Sequence, residues 1–517
     1  MNPGRIKARA ELIALAGGSV LGLSVPGFNQ WYLGWFGLAI LFLLIDGSRS
    51  PRAAAWRGWL FGFAYNLVWL NWFLKLNPPQ WVGVDAPIQL VAIAVVCWVG
   101  SAALQACVQA LAALAIRLMI GSGRLAPVFG AGRSSAPAVL TLPLIWCLII
   151  CLFGNQPDLL VLPMSSLEYS QHQILPLVQI CSTVGGIGLQ FMMVAHNVAL
   201  AVVAASLPGR PDEVRSLAGG LRPALVQWLV ILALLITIGI WGSCHLQSSA
   251  AEPAERVSII QAGLMFETER RGRTLRIPEA LALAVPMLKQ NQPGLAVWTE
   301  TSLPMLFDTR SPLLDALKDV AMERHLDIVF GVEEQDRLHA RKYNAAAGIL
   351  SNGAFASATY RKRYLIPFGE FEPLVLRLIP ESLKAALKLP AVPPYRASAE
   401  ATVLNLSRGT VAPLICGENA DPGLCARSVR NGGQVITNIS NLSWFQNSSL
   451  GELTIAMAVF RAVENRRYYI YAADTGPSFL IDPYGHIVAQ TAWGEVTALT
   501  GRFSYLSELT WFSRLCP

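Results

Sequence analysis

Residues 414–425 read LICGENADPGLC. An apolar run delivers Cys416 into Gly417, Glu418 follows, and a second cysteine, Cys425, lies a short way on. The run beginning at Val411 has strand character, and the polar, glycine- and proline-containing residues after it mark a turn leading into a helix. Such a strand–turn–helix unit belongs to an α/β domain, whose strand ends usually carry the chemistry. Cys416 is therefore either a nucleophile presented at a strand end or a small buried hydrophobe, the commoner use of a lone cysteine in an apolar strand. Cys425 falls along the helix after the turn, roughly 13 Å away at helical rise. That exceeds disulfide reach, so Cys425 reads as a packing residue.

The same alternation continues on both sides. From Arg256 onward RVSIIQAG, LAVWTE, LDIVFGVEE, YNAAAGILS, VAPLICGE, GQVITNIS, YYIYAADTG and PSFLIDPYG read as strands. Between them 277–290, 313–325 and 450–464 carry helical spacing of apolar residues. Two more of these elements end in candidate groups. Glu300 closes LAVWTE, and Lys362 lies in YRKRYLIPFGEFEP, with Glu370 following it in the same stretch. Segment 374–400, rich in leucine and proline, reads as an amphipathic, membrane-facing insertion.

A carboxylate, an amine and a thiol suffice for acyl transfer. The carboxylate takes the thiol proton, the thiolate attacks a carbonyl, and the ammonium stabilises the developing oxyanion. Amides at the start of the following helix are expected to lower the thiol pKa. Taken singly, each residue fits a plainer reading. Glu300 can be a surface carboxylate, and Lys362 one of a solvated basic trio with Arg361 and Arg363. Their joint placement at strand ends favours the catalytic one.

The first half of the chain is different. Over 517 residues the hydrophobic fraction is 53% and charged residues make up 14%, with a mean hydropathy of +0.45. A soluble domain carries roughly a quarter charged residues, and the deficit lies before about residue 245. Two domains follow: 1–245 in the membrane and 246–517 outside it. Apolar segments lie at 10–27, 31–46, 54–74, 87–118, 136–153, 177–207 and 223–243, against about 20 residues needed per crossing.

Basic residues test that count. Arg5, Lys7 and Arg9 precede the first segment, and Arg49, Arg52 and Arg57 follow the second. Arg117, Arg124 and Arg133 follow the fourth, and Arg210, Arg215 and Arg222 the sixth. The alternate loops hold Lys75 alone. Basic loops stay in the cytoplasm, so about seven crossings are expected, with the N-terminus inside and everything after Trp241 outside. The first segment reads as a retained helix rather than a cleaved signal. Glu168 and His172 fall in an outward loop, read as solvated.

The net charge of +7 is spread between apolar segments and not gathered into a nucleic-acid stripe. No nucleic-acid partner is expected. Cys97, Cys107, Cys147, Cys151 and Cys181 lie in apolar segments, leaving Cys244, Cys416, Cys425 and Cys516 outside. They have neither the density of a disulfide-stapled domain nor zinc-site spacing, so no metal or other cofactor is indicated.

Glutamate, lysine and cysteine in this order, each after an apolar strand, resemble the nitrilase (carbon–nitrogen hydrolase) superfamily. Behind a multi-spanning membrane half, WTETSLP, YRKRYLIPFGEFEP, ICGE, TNISNLSWF and FRAVENRRYYIYAADTGPSFLIDPYGHI resemble the apolipoprotein N-acyltransferases of bacterial inner membranes. The resemblance covers essentially all of 256–490 and implies a four-layer αββα sandwich on the periplasmic side of a multi-pass inner-membrane protein. It implies Glu300 as general base, Lys362 as oxyanion stabiliser and Cys416 as nucleophile. Glu370 and Glu418 would be supporting carboxylates, and Trp444 an aromatic on a loop beside the site. The implied partners are a phospholipid acyl donor, an apolipoprotein acceptor and the surrounding membrane lipids.

The sequence also departs from that family. Gly417 stands where tyrosine is usual, Leu442 where aspartate, Gln446 where glycine and Tyr468 where proline. The sequence reaches Pro517 without the last membrane helix usual there. Gly417 and the loop around Trp444 would shape the substrate pocket. Two other readings stay open: a divergent paralogue, as in conjugal-transfer systems, acting on another amide or acyl substrate, and a non-catalytic membrane scaffold. Intact Glu300, Lys362 and Cys416 count against the scaffold.

Overall fold

Residues 3–77, 87–121, 136–207, 221–247, 252–271, 275–289, 294–303, 307–308, 311–336, 341–386, 392 and 395–516 are described by a computed structural model. The chain divides into two units, Met1–Leu74 with Val91–Leu246, and Lys75–Leu90 with Gln247–Pro517. The main helices of the N-terminal half are α1 (Pro3–Gly22), α2 (Gly37–Asp46), α3 (Pro51–Trp69), α4 (Pro87–Gly121), α5 (Ala136–Phe153), α6 (Cys181–Ala205) and α7 (Leu221–Gln247). Each falls on one of the apolar segments.

Among the described residues three helices, over Ile88–Ile120, Cys181–Ala205 and Leu221–Leu246, are long and apolar enough to cross a membrane, and the protein is membrane-integral. On α7 the side chains of Val226, Leu229, Val230, Leu234 and Ile240 are exposed, an apolar surface suited to lipid. α1 and α3 pack closely because Gly18 has no side chain: a Cβ there would lie 2.1 Å from the Phe61 carbonyl oxygen. Arg124, Arg133, Arg210 and Arg215, which carry part of the orientation argument, lie outside the described residues.

The segment between α5 and α6 corrects one expectation. Glu168 and His172 are each only 6% exposed, so this is a packed segment and not a solvated loop. Helix-borne side chains satisfy two of its backbone carbonyls and one of its side-chain amides. Tyr65 donates its hydroxyl to Ser165 O at 3.0 Å, Trp69 donates Nε1 to Met164 O at 2.8 Å, and Trp35 Nε1 donates to Gln171 Oε1 at 2.9 Å.

The described residues of the C-terminal half form two six-stranded sheets. Strands β1 (Glu255–Gln261), β2 (Leu295–Val297), β3 (Asp327–Asp336), β4 (Arg341–Ile349), β5 (Tyr360–Arg361) and β12 (Thr497–Phe503) form the first, in the order β12-β1-β2-β3-β4-β5. Strands β6 (Leu404–Asn405), β7 (Thr410–Ile415), β8 (Val435–Ser440), β9 (Tyr469–Ala473), β10 (Phe479–Ile481) and β11 (Ile487–Gln490) form the second, ordered β11-β10-β9-β8-β7-β6. The β1-β2-β3 and β7-β8-β9 neighbours are parallel. Val257, Ile259, Val297 and Val329 of one sheet share a core with Val411, Ile415, Ile439 and Ile470 of the other.

Because strand side chains alternate, Ile260, Ile328 and Phe330 point the opposite way. They pack with Ala280, Ala284, Leu317 and Val320 of the helices Ile277–Lys289 and Asp315–Arg324. The helices Pro422–Arg430 and Ser449–Asn465 pack on the second sheet. The αββα arrangement implied by the resemblance is therefore present.

Four strands escaped the sequence reading. β5 and β6 are two residues long and carry no periodicity, while β11 and β12 are largely half-exposed or exposed edge strands without a sustained apolar alternation. In 374–400, short helices Leu374–Arg377 and Glu381–Ala386 leave Val375, Leu378 and Leu383 exposed, and 387–391 and 393–394 lie outside the described residues.

Candidate active site

β2 stops at Val297, so Glu300 sits in the turn beyond the strand and not within it. β3 holds that turn in place. Gly331 N donates to Thr299 O at 3.1 Å, and a Cβ on Gly331 would meet Thr301 N at 2.4 Å. Only glycine allows the turn to lie this close to the strand.

Lys362 follows β5 and is 1% exposed. Its Nζ donates to Glu300 Oε1 at 3.2 Å and to Glu370 Oε1 at 2.9 Å. Burial alone would lower its pKa, but the two carboxylates hold it well above the ordinary lysine value. Glu370 reaches this position because its own stretch folds back: Phe368 has φ +66°, and Ile366 N donates to Glu370 Oε2 at 2.9 Å.

Asn344, on β4, was not singled out from the sequence. Its Nδ2 donates to Glu300 Oε1 at 2.7 Å and to Glu370 Oε1 at 2.8 Å. The available signal was an amide in a run of small apolar residues, YNAAAGI.

Cys416 comes directly after β7 and has φ +53°, a backbone region that costs a non-glycine residue of order 1–3 kcal/mol. Asn438 Nδ2 donates to its carbonyl oxygen at 3.0 Å. The thiol pKa is pushed up to about 12, first by burial and then by the Glu300 carboxylate, with Lys362 and Ser440 pulling the other way. This reverses the expected lowering. Residues Cys416–Ala420 form a 3-10 turn and the helix starts only at Pro422. Its first amides, Gly423 N and Leu424 N, are taken by Asp421 Oδ1 at 2.8 and 3.2 Å, so the helix terminus serves Asp421 and not the thiol.

Glu418 is fully buried. Oε2 accepts Ile415 N and the Tyr360 hydroxyl, both at 2.7 Å; Oε1 accepts Arg363 N at 2.6 Å and Tyr364 N at 3.1 Å. Burial raises its pKa, against the hydrogen bond from Tyr360 and the Arg363 charge. Gly417 is buried beside the thiol. Trp444 lies half-buried in the 3-10 turn Ser443–Phe445, beyond the end of β8. Cys425 is a buried free thiol on the helix after the turn, as its packing reading requires.

Glu300, Lys362 and Glu370 thus meet directly, Cys416 feels the charge of all three, and Glu418 braces the backbone beneath them. A proton acceptor, a fixed cation and a thiol in one largely buried cluster are the parts of a nucleophilic acyl-transfer site.

Residues 257–504 match the carbon-nitrogen hydrolase family, and residues 17–199 the apolipoprotein N-acyltransferase N-terminal domain. An apolipoprotein N-acyltransferase of Pseudomonas aeruginosa is 31% identical over 513 residues, covering 97% of this chain and 92% of the relative. The chain belongs to the apolipoprotein N-acyltransferase family. A member from Geobacter metallireducens is 28% identical over 505 residues, covering 96% of this chain and 89% of that one. The structure is also similar to a Saccharomyces cerevisiae member of branch 10 of the nitrilase superfamily, at 19% identity and a TM-score of 0.37, over 50% of this chain and 93% of that one. Membership supports a role in lipoprotein N-acylation by a membrane-integral acyltransferase with a nitrilase-superfamily domain.

Proposed function

We propose that the protein moves a fatty acyl chain from a phospholipid to the N-terminal amine of a diacylglyceryl-cysteine apolipoprotein, through a thioester on Cys416. Glu300 removes the thiol proton as Sγ attacks the ester carbonyl. Lys362 balances the oxyanion of the tetrahedral intermediate. Collapse breaks the ester C–O bond, and the lysophospholipid oxygen leaves with the proton from Glu300. The acceptor amine then attacks the thioester carbonyl and gives its proton to Glu300. Cys416 departs as thiolate and recovers that proton, leaving an amide and a free thiol.

The observation that carries this reading is the contact of Lys362 with Glu300 at 3.2 Å beside a half-buried thiol whose pKa both charges shift. Purified protein given a phospholipid with a labelled acyl chain is expected to form a hydroxylamine-sensitive adduct on Cys416. Absence of the adduct, with Cys416→Ser indistinguishable from wild type, refutes the thioester route.

We place the catalytic unit on the periplasmic side of the bacterial inner membrane after about seven crossings, from the alternation of basic loops. A reporter fused after Trp241 that gives a cytoplasmic signal refutes this. A second reading, a divergent paralogue acting on another amide or acyl substrate, is favoured by Gly417 next to Cys416 and by Leu442 in the stretch before Trp444. Rescue of a host depleted of its own acyltransferase separates the two: growth supports lipoprotein acylation, and failure of correctly inserted protein supports the paralogue.

A further inference from the structure

We infer that Asn344 is a positioning residue of this site: its amide commits one oxygen of Glu300 to the Lys362 cluster and leaves the other to receive the thiol proton. The inference rests on Glu300 acting as the base, as proposed above.

Asn344 Nδ2 and Lys362 Nζ donate to the same two atoms, Glu300 Oε1 and Glu370 Oε1. Two donors and two acceptor oxygens thus close a ring. Glu370 is engaged through both oxygens, since Oε2 accepts Ile366 N at 2.9 Å. Glu300 Oε2 accepts no hydrogen bond among the described residues. A carboxylate held by two donors on one oxygen cannot swivel freely, so its second oxygen has a fixed direction.

Charge explains why the second donor is an amide. Two carboxylates against one ammonium leave the cluster one negative charge in excess, which sustains Glu300 as a proton acceptor. A second cation would cancel that excess, whereas a neutral amide supplies hydrogen bonds without doing so. The orientation of Asn344 follows, because the reversed amide would point its oxygen at two carboxylates. Its Oδ1 is buried without a partner among the described residues. Packing would favour an apolar side chain in this place, as at the neighbouring Ala345, Ala346 and Ala347. Asn344 also accepts the backbone N–H of Lys362 at 2.8 Å through its carbonyl, so one residue aligns the lysine and both glutamates.

The test is single-turnover labelling of Cys416 in full-length protein in detergent micelles containing a phospholipid with a labelled acyl chain, measured across pH. Asn344→Leu, similar in volume but without donors, is expected to slow labelling about tenfold or more, with half-saturating lipid changed by less than about twofold. The acid limb of its pH–rate profile moves to higher pH. Asn344→Asp moves that limb further, by adding a third carboxylate. Asn344→Ser, which can donate to only one oxygen, falls between wild type and Asn344→Leu and serves the same purpose if the leucine variant does not fold. Labelling at the wild-type rate, or a loss of the same size at every pH, refutes the positioning role. If the wild type takes no label, the nucleophile assignment itself fails and this inference with it.

Discussion

Glu418 Oε1 accepts the backbone N–H of Arg363 at 2.6 Å. The residue two positions after the candidate nucleophile therefore holds the backbone next to the candidate oxyanion stabiliser. Through Ile415 N on its other oxygen, the same carboxylate also ties down the strand end that presents Cys416. A single buried side chain thus spans two sheets and sets the spacing of Lys362 and Cys416.

Glu418→Gln keeps the volume but replaces an acceptor oxygen with a donor amide facing N–H groups. Leaving buried donors unsatisfied is expected to cost about 2–4 kcal/mol and to abolish acyl labelling. Tyr360→Phe removes one of the four bonds and is expected to cost about 1 kcal/mol. Thermal unfolding of the detergent-solubilised variants checks both, and equal melting temperatures would contradict the bracing role.

Cys416 should alkylate slowly for a thiol. With a pKa near 12 against an ordinary 9.0, its thiolate at pH 8 is about a thousandfold rarer than that of an unperturbed cysteine. Iodoacetamide modification, followed by mass spectrometry of the Cys416 peptide, should quicken about tenfold per pH unit between pH 7 and 10. Glu300→Gln removes a charge that raises this pKa, so alkylation should speed up while acyl transfer is lost. Slower alkylation in that variant would contradict the electrostatic account.

Lys362→Met leaves Glu300 and Glu370 facing each other with Asn344 as their only common donor among the described residues. Breaking such a buried ion cluster is expected to cost about 3–5 kcal/mol. The deficit should shrink as pH falls, because protonating either carboxylate relieves the repulsion. Melting curves at pH 5 and pH 8 test this, and a pH-independent deficit would argue against it.

Gln446, where the family usually has glycine, adopts φ +46° and ψ −155°. That region is essentially reserved for glycine, so Gln446→Gly is expected to stabilise the protein by about 1 kcal/mol. A lower melting temperature would mean that the Gln446 side chain contributes contacts outweighing the strain.

The two-part organisation and the α/β character of the second half were legible because they depend on composition and periodicity, which are local. Glu300 and Cys416 were legible as candidates because each follows a strand-like run, Lys362 because of the stretch YRKRYLIPFGEFEP around it, and Glu370 because it sits in that same stretch. The short strands β5 and β6 were not, since pairing with neighbours, and not their own residues, makes them strands. Glu168 and His172 read as solvated because the side chains that bury their segment, Tyr65, Trp69 and Trp35, are far away in the chain.

By itself, then, the sequence determined which chemical groups the protein carries and that strand ends present them, because these follow from residue type and spacing. Only the tertiary structure decided how those groups act on one another. Asn344 reaches Glu300 from 44 residues away and Glu418 reaches Arg363 across 55. The thiol pKa rises where a helix-start argument said it should fall. Burial and electrostatic fields sum over neighbours brought together from distant segments, and no local pattern encodes that sum.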